Sequence, residues 1–295
     1  PQSPQLYKQL TMLAGFDRYM QIARCFRDED LRADRQPEFT QIDLEMSFID
    51  SDDVMNIAEG FIKKVYKEVL GIEVENHFLK MPYREAMERL GSDKPDLRFG
   101  CEIINITDEL QETGFRVFAE AISNGGSVRC INIKGAAEKL PRKEIDKLTK
   151  WIQDYGAKGL AWTKVNLDGT SSSSYEKFLT EKEIDQIRKK VTAEAGDVIF
   201  IVANEDNQVV LESLGALRCE LANKLDMIDK DKWCFLWVTE FPLFEYDKEQ
   251  ERYVAKHHPF TSPREEDIEK LETNPYDICA NAYDLVLNGN EIGGG

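Results

Sequence analysis

Apolar and polar residues alternate along residues 19–49 in a pattern that predicts two antiparallel strands. The candidate strands span residues 19–26 and 39–49 and are joined by a polar, turn-rich loop. The second strand has an apolar and a polar face, formed by Ile42, Leu44, Met46 and Phe48 and by Gln41, Asp43, Glu45 and Ser47, respectively. Since strand side chains point alternately to opposite sides, this hairpin should have one packed face and one polar face.

Helical spacing of apolar residues predicts helices before and after this hairpin. Residues 5–14 form the first helix, with Gly15 as its C-terminal stop. Residues 54–69 form an amphipathic helix that Gly71 would end, and we expect this helix to cover the apolar face of the hairpin.

The remaining chain mixes strands and helices without a repeat. Strands are predicted at residues 127–133, 159–165, 198–203 and 233–239. Helices are predicted to begin at Pro141, at a Thr180–Glu183 capping box and at Pro263, and residues 169–174 read as a flexible loop. Antiparallel pairs mixed with helices, without regular βαβ alternation, indicate an α+β fold.

Composition and charge exclude several classes of protein. The 295 residues include 38 basic and 55 acidic ones, a net charge of −17, which argues against a protein that coats nucleic acid or anionic lipid. Without a long apolar stretch or a leader, we expect no membrane association and a cytoplasmic location. Residues 98–230 carry 19 basic and 22 acidic residues, so the flanks hold most of the net charge and the middle reads as an inserted module.

Cysteine and histidine spacing indicates neither disulfides nor a zinc site. The six cysteines lie far apart without a CxxC pair, and we expect free thiols. Neither a Walker nor a Rossmann glycine pattern is present, so a bound nucleotide would be held by arginines, carboxylates and metal.

The first candidate for chemistry is Arg27, at the end of the first strand. The strand periodicity places it on the same face as Gln21, where the returning strand can bring Gln41, Asp43 and Glu45. An arginine fork suits a phosphate or a carboxylate, and nearby carboxylates suit an ammonium, an amino group or a metal-bound phosphate. An exposed hairpin with surface ion pairs is the alternative.

The second candidate is a hairpin turning at Asn288–Gly289. A two-residue turn pairs Val286 with Glu291 and makes Asp284 the diagonal neighbour of Glu291 on one sheet face. Two such carboxylates can hold Mg²⁺, although they can also be polar residues that merely flank a turn. His257 and His258 point in opposite directions in an extended segment, so at most one of them can face a site, and a structural role is the alternative.

Several segments together resemble a known family. Residues 26–29, 35–39 and 40–45, which read FRDE, RQPEF and TQIDLE, resemble motif 2 of the class II aminoacyl-tRNA synthetases. Residues 2–9, 91–98 and 257–263, which read QSPQLYKQ, GSDKPDLR and HHPFTSP, are similar to the bacterial-type aspartyl-tRNA synthetase family. Residues 98–230 resemble the GAD insertion domain of that family.

The resemblance implies an antiparallel sheet flanked by helices, with a smaller inserted α+β domain, in a homodimer. It divides the chain into residues 1–97 and 231–295 of a catalytic domain and an insertion at 98–230. The implied activity is the ATP-dependent attachment of L-aspartate to tRNA(Asp) through an aspartyl-adenylate, with Mg²⁺ and with no role for DNA.

The resemblance also implies residue roles. Arg27 would be catalytic, binding both the α-phosphate of ATP and aspartate. The ATP-binding residues would be Arg27, Asp28, Glu29, Gln36 and Glu291. Asp284 and Glu291 would hold the metal. The aspartate pocket would consist of Ser3, Gln5, Lys8, Arg27, Asp43 and His257, with Lys8 on the side-chain carboxylate. Arg32 and Arg35 would contact the tRNA acceptor end.

Two alternatives to this function stay open: a non-catalytic binding module of the same fold, and an asparaginyl- or lysyl-tRNA synthetase. The 295 residues lack motif 1, motif 3 and an anticodon-binding domain. We therefore expect them to be a piece of a longer protein and to be inactive in isolation.

Overall fold

The computed structural model describes residues 2–28, 35–74, 77–247, 250–258 and 260–295. The chain packs into two compact units, Pro1–Phe78 and Leu79–Gly295.

The first unit contains the predicted hairpin and both predicted helices. Its elements are α1 (Gln5–Leu13), β1 (Arg18–Phe26), β2 (Glu38–Met46) and α2 (Ser51–Val65), which continues into a π-helical turn, Tyr66–Leu70. β1 and β2 pair antiparallel. Gly71, with φ 70°, ends the helical segment as predicted.

The second predicted strand ends earlier than its alternation indicates. β2 stops at Met46, and the next backbone N–H, that of Ser47, donates to the carbonyl oxygen of Asp17 in the loop before β1. Phe48 has a positive φ of 59° and is 97% exposed, so its predicted place on the apolar face is wrong. The strand ends there because its partner strand begins at Arg18.

The prediction that α2 packs on the apolar face of the hairpin is also wrong. The helix that contacts the hairpin is α1, and its Lys8 reaches Asp43 and Glu45 on the polar face. On the apolar face, Met20 and Ile22 are 66% and 70% exposed, so α2 does not cover them. A period of two tells which residues share a face, but it does not tell which helix lies on that face.

The second unit holds three sheets and five α-helices within its described residues. Its strands are β3 (Leu79–Pro82), β4 (Ile104–Asn105), β5 (Ser127–Ile133), β6 (Ala161–Val165), β7 (Ser171–Ser173), β8 (Val198–Asn204), β9 (Phe235–Thr239), β10 (Phe244–Asp247), β11 (Arg252–Ala255), β12 (Tyr283–Leu287) and β13 (Asn290–Gly294). Its helices are α3 (Tyr83–Leu90), α4 (Arg116–Ser123), α5 (Arg142–Trp151), α6 (Glu181–Lys190) and α7 (Asn207–Lys224).

The sheets confirm the predicted α+β class. The strand orders are β4-β5-β8-β6-β7, β13-β12-β9-β3 and β10-β11. Among the strands that the structure describes, β3 and β9 pair parallel and the other pairs are antiparallel. Within the part of the chain that the structure describes, no helix is long and apolar enough to cross a membrane. The six cysteines are free thiols, as predicted.

The five-stranded sheet is buried on both faces. One core contains Ile131, Phe200 and Leu214, and the other contains Phe118, Val128 and Ile201. This double burial explains why β5 and β8 read as nearly continuous apolar runs. The Thr180–Glu183 capping box starts α6 as predicted.

The serine-rich segment is more ordered than predicted. Ser171–Ser173 forms the edge strand β7, which pairs with β6, and the hydroxyl of Thr163 donates to Ser173 Oγ at 2.8 Å. The prediction of a flexible loop is wrong at these residues. Backbone hydrogen bonds hold an edge strand whatever its side chains, so serine composition alone was misleading.

The four-stranded sheet carries the second predicted hairpin, β12–β13. Buried Leu236, Val238 and Val286 pack with Met81 and Leu90 on one face of this sheet. Asn288 and Gly289 have φ values of 51° and 84°, as the predicted two-residue turn requires.

Candidate active site

Helix α1 places a lysine over the polar face of the β1–β2 hairpin. The ammonium nitrogen of Lys8 lies 3.2 Å from Asp43 Oδ1 and 3.5 Å from Glu45 Oε2. The side chains of Lys8 and Asp43 are only 18% and 11% exposed. Asp43 Oδ2 is buried and has no hydrogen-bond partner among the described residues. A buried carboxylate oxygen of this kind is suited to a cationic or hydrogen-bond-donating ligand group, because leaving it unpaired is costly.

Burial also affects a neighbouring hydroxyl on this face. The pKa of Tyr19 is raised, first by loss of solvation and then by the negative charge of Asp43. The Tyr19 hydroxyl is therefore neutral and donates to Gln21 Oε1. The predicted polar face is thus a hydrogen-bonded surface with a lysine, two carboxylates and a phenol.

Arg27 follows β1 and is anchored at its backbone and its side chain. Its N–H donates to the carbonyl oxygen of Pro37 at 2.9 Å, and Nε donates to the carbonyl oxygen of Gln2 at 3.3 Å. The guanidinium lies 5.0 Å from the ring centroid of Phe39. These contacts hold the guanidinium beside the segment that leads into α1.

Arg24, on β1, forms an exposed ion pair with Glu38. Its Nε lies 3.2 Å from Glu38 Oε1, and the two side chains are 71% and 53% exposed. Such a pair contributes little to stability. The half-buried Arg27 differs from it in exposure and in its contacts, which gives a matched pair for mutagenesis.

The other predicted residues of the first unit lie at the start of α1 and beside the hairpin loop. Ser3 and Gln5 are exposed at the start of α1, and Asp28, Arg35 and Gln36 are exposed on either side of the hairpin loop. Glu29 and Arg32 lie outside the described residues.

In the second unit, the β12–β13 hairpin has the predicted pairing at its turn. Leu287 pairs with Asn290 and Val286 with Glu291, but a bulge between Leu285 and Val286 then places Asp284 opposite Gly294. The regular diagonal pairing predicted for Asp284 and Glu291 is therefore wrong by one residue, because the ladder is interrupted between them. The carboxylate of Asp284 lies close to the backbone of Gly294, since a Cβ added to Gly294 would be 2.5 Å from Asp284 Oδ1. A glycine at position 294 therefore leaves room for this carboxylate.

Asp284 is an acid whose ionisation is disfavoured. Burial, followed by the charges of Glu291 and Asp93, raises its pKa to about 7, while Lys94 acts in the opposite direction. Like charges around a half-buried carboxylate are stabilised by a bound cation, and carboxylate oxygens are the ligands that Mg²⁺ prefers.

The two histidines have different surroundings. The ring of His257 packs edge-on against Phe241, with centroids 4.8 Å apart. His258 Nδ1 accepts a hydrogen bond from the N–H of Phe260 at 3.2 Å. Burial and Lys256 lower the pKa of His257, while Asp93 raises it, so His257 is mainly neutral at pH 7.

The sequence-predicted residues fall into two groups. Lys8, Arg27 and Asp43 belong to the first unit, and His257, Asp284 and Glu291 belong to the second. The sequence pattern indicates no role for Asp93 and Lys94. They lie in the GSDKPDLR segment, which resembles the aspartyl-tRNA synthetase family, and no local pattern shows that this segment meets a hairpin almost 200 residues later.

Comparison with known proteins gives a match along the whole chain. Residues 1–295 match the family described as tRNA synthetases class II (D, K and N). The chain belongs to the class II tRNA synthetases. The motif 2 resemblance is therefore confirmed at the level of the family.

Curated members of this synthetase family are similar over all 295 residues. The aspartate–tRNA ligase of Ruminiclostridium cellulolyticum is 59% identical, with 49% of its length covered. The aspartate–tRNA(Asp/Asn) ligase of Caldanaerobacter subterraneus subsp. tengcongensis is 57% identical, with 49% covered. The aspartate–tRNA ligase of Oceanobacillus iheyensis is 56% identical, with 50% covered. The chain spans about half the length of these curated synthetases.

Proposed function

We propose that this chain is the amino-acid-activating part of an aspartate–tRNA ligase, which uses ATP to attach L-aspartate to tRNA(Asp). The observation that carries the proposal is the ion pair between Lys8 on α1 and Asp43 on the motif 2 hairpin, in which one buried carboxylate oxygen of Asp43 has no partner among the described residues. The names of the relatives support the same assignment.

L-Aspartate is complementary to this pair. Its side-chain carboxylate would take Lys8 as partner, and its ammonium would take Asp43, with Ser3 and Gln5 beside it. The substrate would thus bring an anion to Lys8 and a cation to Asp43, and the unsatisfied oxygen of Asp43 would gain a donor. With asparagine, Asp43 would pair with the substrate ammonium, and the largely buried Lys8 would keep the longer contact with Glu45 but gain no new negative partner, which would account for a preference for aspartate. His257 is proposed to close this pocket as a neutral ring.

Arg27 is the proposed catalytic residue. In the first reaction, an oxygen of the aspartate α-carboxylate attacks the α-phosphorus of ATP, and the bond to pyrophosphate breaks. A fixed guanidinium beside this phosphate stabilises the negative charge that develops on its oxygens. Asp28, Glu29 and Gln36 are proposed to bind ATP, with Glu29 accepting from the adenine amino group. In the second reaction, a hydroxyl of the terminal tRNA ribose attacks the aspartyl carbonyl carbon, and AMP leaves.

The β12–β13 hairpin fits a divalent cation. Its donor set consists of two carboxylates. Burial, followed by the negative charges of Glu291 and Asp93, raises the pKa of Asp284, and a bound cation would relieve that repulsion. Asp284 and Glu291 would hold Mg²⁺, which when bound neutralises charge on the ATP phosphates. Glu291 is thereby also proposed to contact ATP.

The domain boundaries are part of the proposal. Residues 1–97 and 231–295 would form the catalytic domain and residues 98–230 an inserted GAD-like domain. In support, all five strands of the β4-β5-β8-β6-β7 sheet lie between Ile104 and Asn204. The whole protein is proposed to be a cytoplasmic homodimer.

An amino-acid-dependent ATP–pyrophosphate exchange assay on the full-length protein tests this function. Aspartate should support exchange, while asparagine and lysine should support at most about 1% of that rate. Exchange driven by asparagine or lysine instead would reassign the specificity. No exchange with any of the three, in a folded protein that still binds tRNA, would favour a non-catalytic module.

A further inference from the structure

Helix α7 and the segment that follows α3 are in direct backbone contact at two glycines, Gly215 and Gly91. Gly91, with φ 66°, ends α3 and packs against Gly215 of α7. A Cβ at Gly91 would lie 2.2 Å from the carbonyl oxygen of Leu211, and a Cβ at Gly215 would lie 2.3 Å from the carbonyl oxygen of Gly91. A side chain at either position would overlap with backbone, so the helix and the segment are in direct contact.

One turn further along α7, Arg218 holds the other end of the same segment. Its Nε donates to the carbonyl oxygen of Gly100 at 3.0 Å, and one terminal nitrogen donates to the carbonyl oxygens of Asp96 and Phe99 at 2.8 and 2.9 Å. Arg218 is 1% exposed, and its guanidinium lies 4.1 Å from the ring centroid of Phe99. Burying this cation costs solvation, and the three carbonyls offset that cost by accepting its N–H groups.

The segment that α7 holds, residues 91–100, lies against the turn of the β12–β13 hairpin. A Cβ at Gly289 would be 3.3 Å from the Cβ of Asp96. The carboxylate of Asp96 is itself bound by Arg98, with Nη2 2.6 Å from Oδ2, which keeps the side chain in place. The charges of Asp93 and Lys94, in the same segment, both act on Asp284. The segment therefore links a helix of the predicted insertion to the hairpin with the two acids.

We propose that Arg218 is a positioning residue, which fixes residues 91–100 against the hairpin turn and thereby holds Asp284 and Glu291 in the arrangement that binds a divalent cation. The cation part of this inference rests on the proposed function. The predicted insertion would then hold the metal-binding hairpin in place through α7.

The test compares Arg218→Lys with Phe118→Leu in the full-length protein. Lysine keeps the charge but has a single nitrogen, which cannot donate to three separate carbonyls in the geometry of a guanidinium. Phe118 is equally buried, but it belongs to the core on the other side of the five-stranded sheet and so controls for a general loss of stability. Arg218→Met is a second, stronger variant, and Arg218→Lys carries the test if the methionine variant does not fold.

Hydrogen–deuterium exchange of the metal-free protein and Mn²⁺ affinity, measured by electron paramagnetic resonance, are the readouts. Arg218→Lys should speed exchange in residues 91–100 and 283–294 and should weaken Mn²⁺ binding about tenfold. The KM for aspartate should stay within about twofold, because the carbonyl oxygens that Arg218 binds belong to Asp96, Phe99 and Gly100, none of which is proposed to bind aspartate. Phe118→Leu should change neither hairpin exchange nor Mn²⁺ affinity.

Two results would overturn the positioning role: unchanged exchange in residues 283–294 in Arg218→Lys, or equal effects in Phe118→Leu. A Glu291→Gln variant separates this inference from the proposed function. If Glu291→Gln leaves Mn²⁺ binding intact, the metal site is wrong, and hairpin exchange in Arg218→Lys still decides whether Arg218 positions the hairpin.

Discussion

The ammonium group of Lys8 lies 3.2 Å from Oδ1 of Asp43, across the contact between helix α1 and strand β2. Both side chains are largely buried, and each is the natural partner for one charged group of an aspartate molecule. A pair of this kind favours a substrate with both charges, because a ligand that lacks one of them brings no new partner to the buried ion on that side.

Removing the charge of Lys8 should therefore impair aspartate recognition. In the full-length protein, Lys8→Met is expected to lower kcat/KM for aspartate in pyrophosphate exchange by about 10²-fold to 10³-fold and to narrow the preference over asparagine. Lys64→Met, at a lysine that is 73% exposed on α2, is the control and should change neither parameter. If Lys8→Met keeps the preference for aspartate over asparagine, Lys8 does not bind the aspartate side chain.

Arg27 should be essential for activation, whereas Arg24 should not. Arg27→Ala is expected to abolish aspartate-dependent exchange, since no other described group of the first unit is proposed to stabilise charge at the α-phosphate. Circular dichroism and the melting temperature should stay near those of the parent protein. Arg24→Ala loses only an exposed pair with Glu38 and should retain exchange. Near-normal exchange by Arg27→Ala would contradict its catalytic role.

The pKa of Asp284 predicts how Mg²⁺ binding depends on pH. Because that pKa is about 7, the carboxyl is mostly protonated below pH 7, and protons then compete with the metal. The half-saturating Mg²⁺ concentration should rise about tenfold from pH 8 to pH 6, as expected for one titrating ligand. In Asp284→Asn, binding should be weaker at every pH and nearly flat between these values. A steep dependence that survives this substitution would point to another group.

Gly91 should tolerate a side chain far less well than another glycine with the same backbone conformation. Gly135 has φ 62°, and a Cβ there would meet nothing within 4 Å, so Gly135→Ala should cost about 1 kcal/mol from the backbone alone. Gly91→Ala adds an overlap with α7 backbone and should cost about 3 kcal/mol or more. Urea unfolding of both variants measures the difference. Equal costs would mean that α7 and residues 91–100 separate easily.

Much of the fold followed from local patterns. The alternation in residues 39–46, the capping box at Thr180 and the Asn288–Gly289 turn each act within a few residues, and each element forms where it was predicted. The motif 2 residues and the paired acids were candidates for the same reason, since a strand or a two-residue turn dictates which neighbours share a face. Phe48 is an exception. The alternation of apolar and polar residues continues to Phe48, but β1 has no residue left to pair with β2 beyond Met46.

The sequence was sufficient for the elements, the α+β class and the family, because hydrophobic periodicity, caps and turns are properties of short stretches of chain. It could not tell that α1 lies on the polar face of the hairpin, or that Asp93 and Lys94 act on Asp284. Those relationships join residues that are 35 to almost 200 positions apart, and they depend on which surfaces of the folded elements fit together. Such contacts form only when the whole core packs, so the burial of Asp43 and the buried links of Arg218 became visible only in three dimensions.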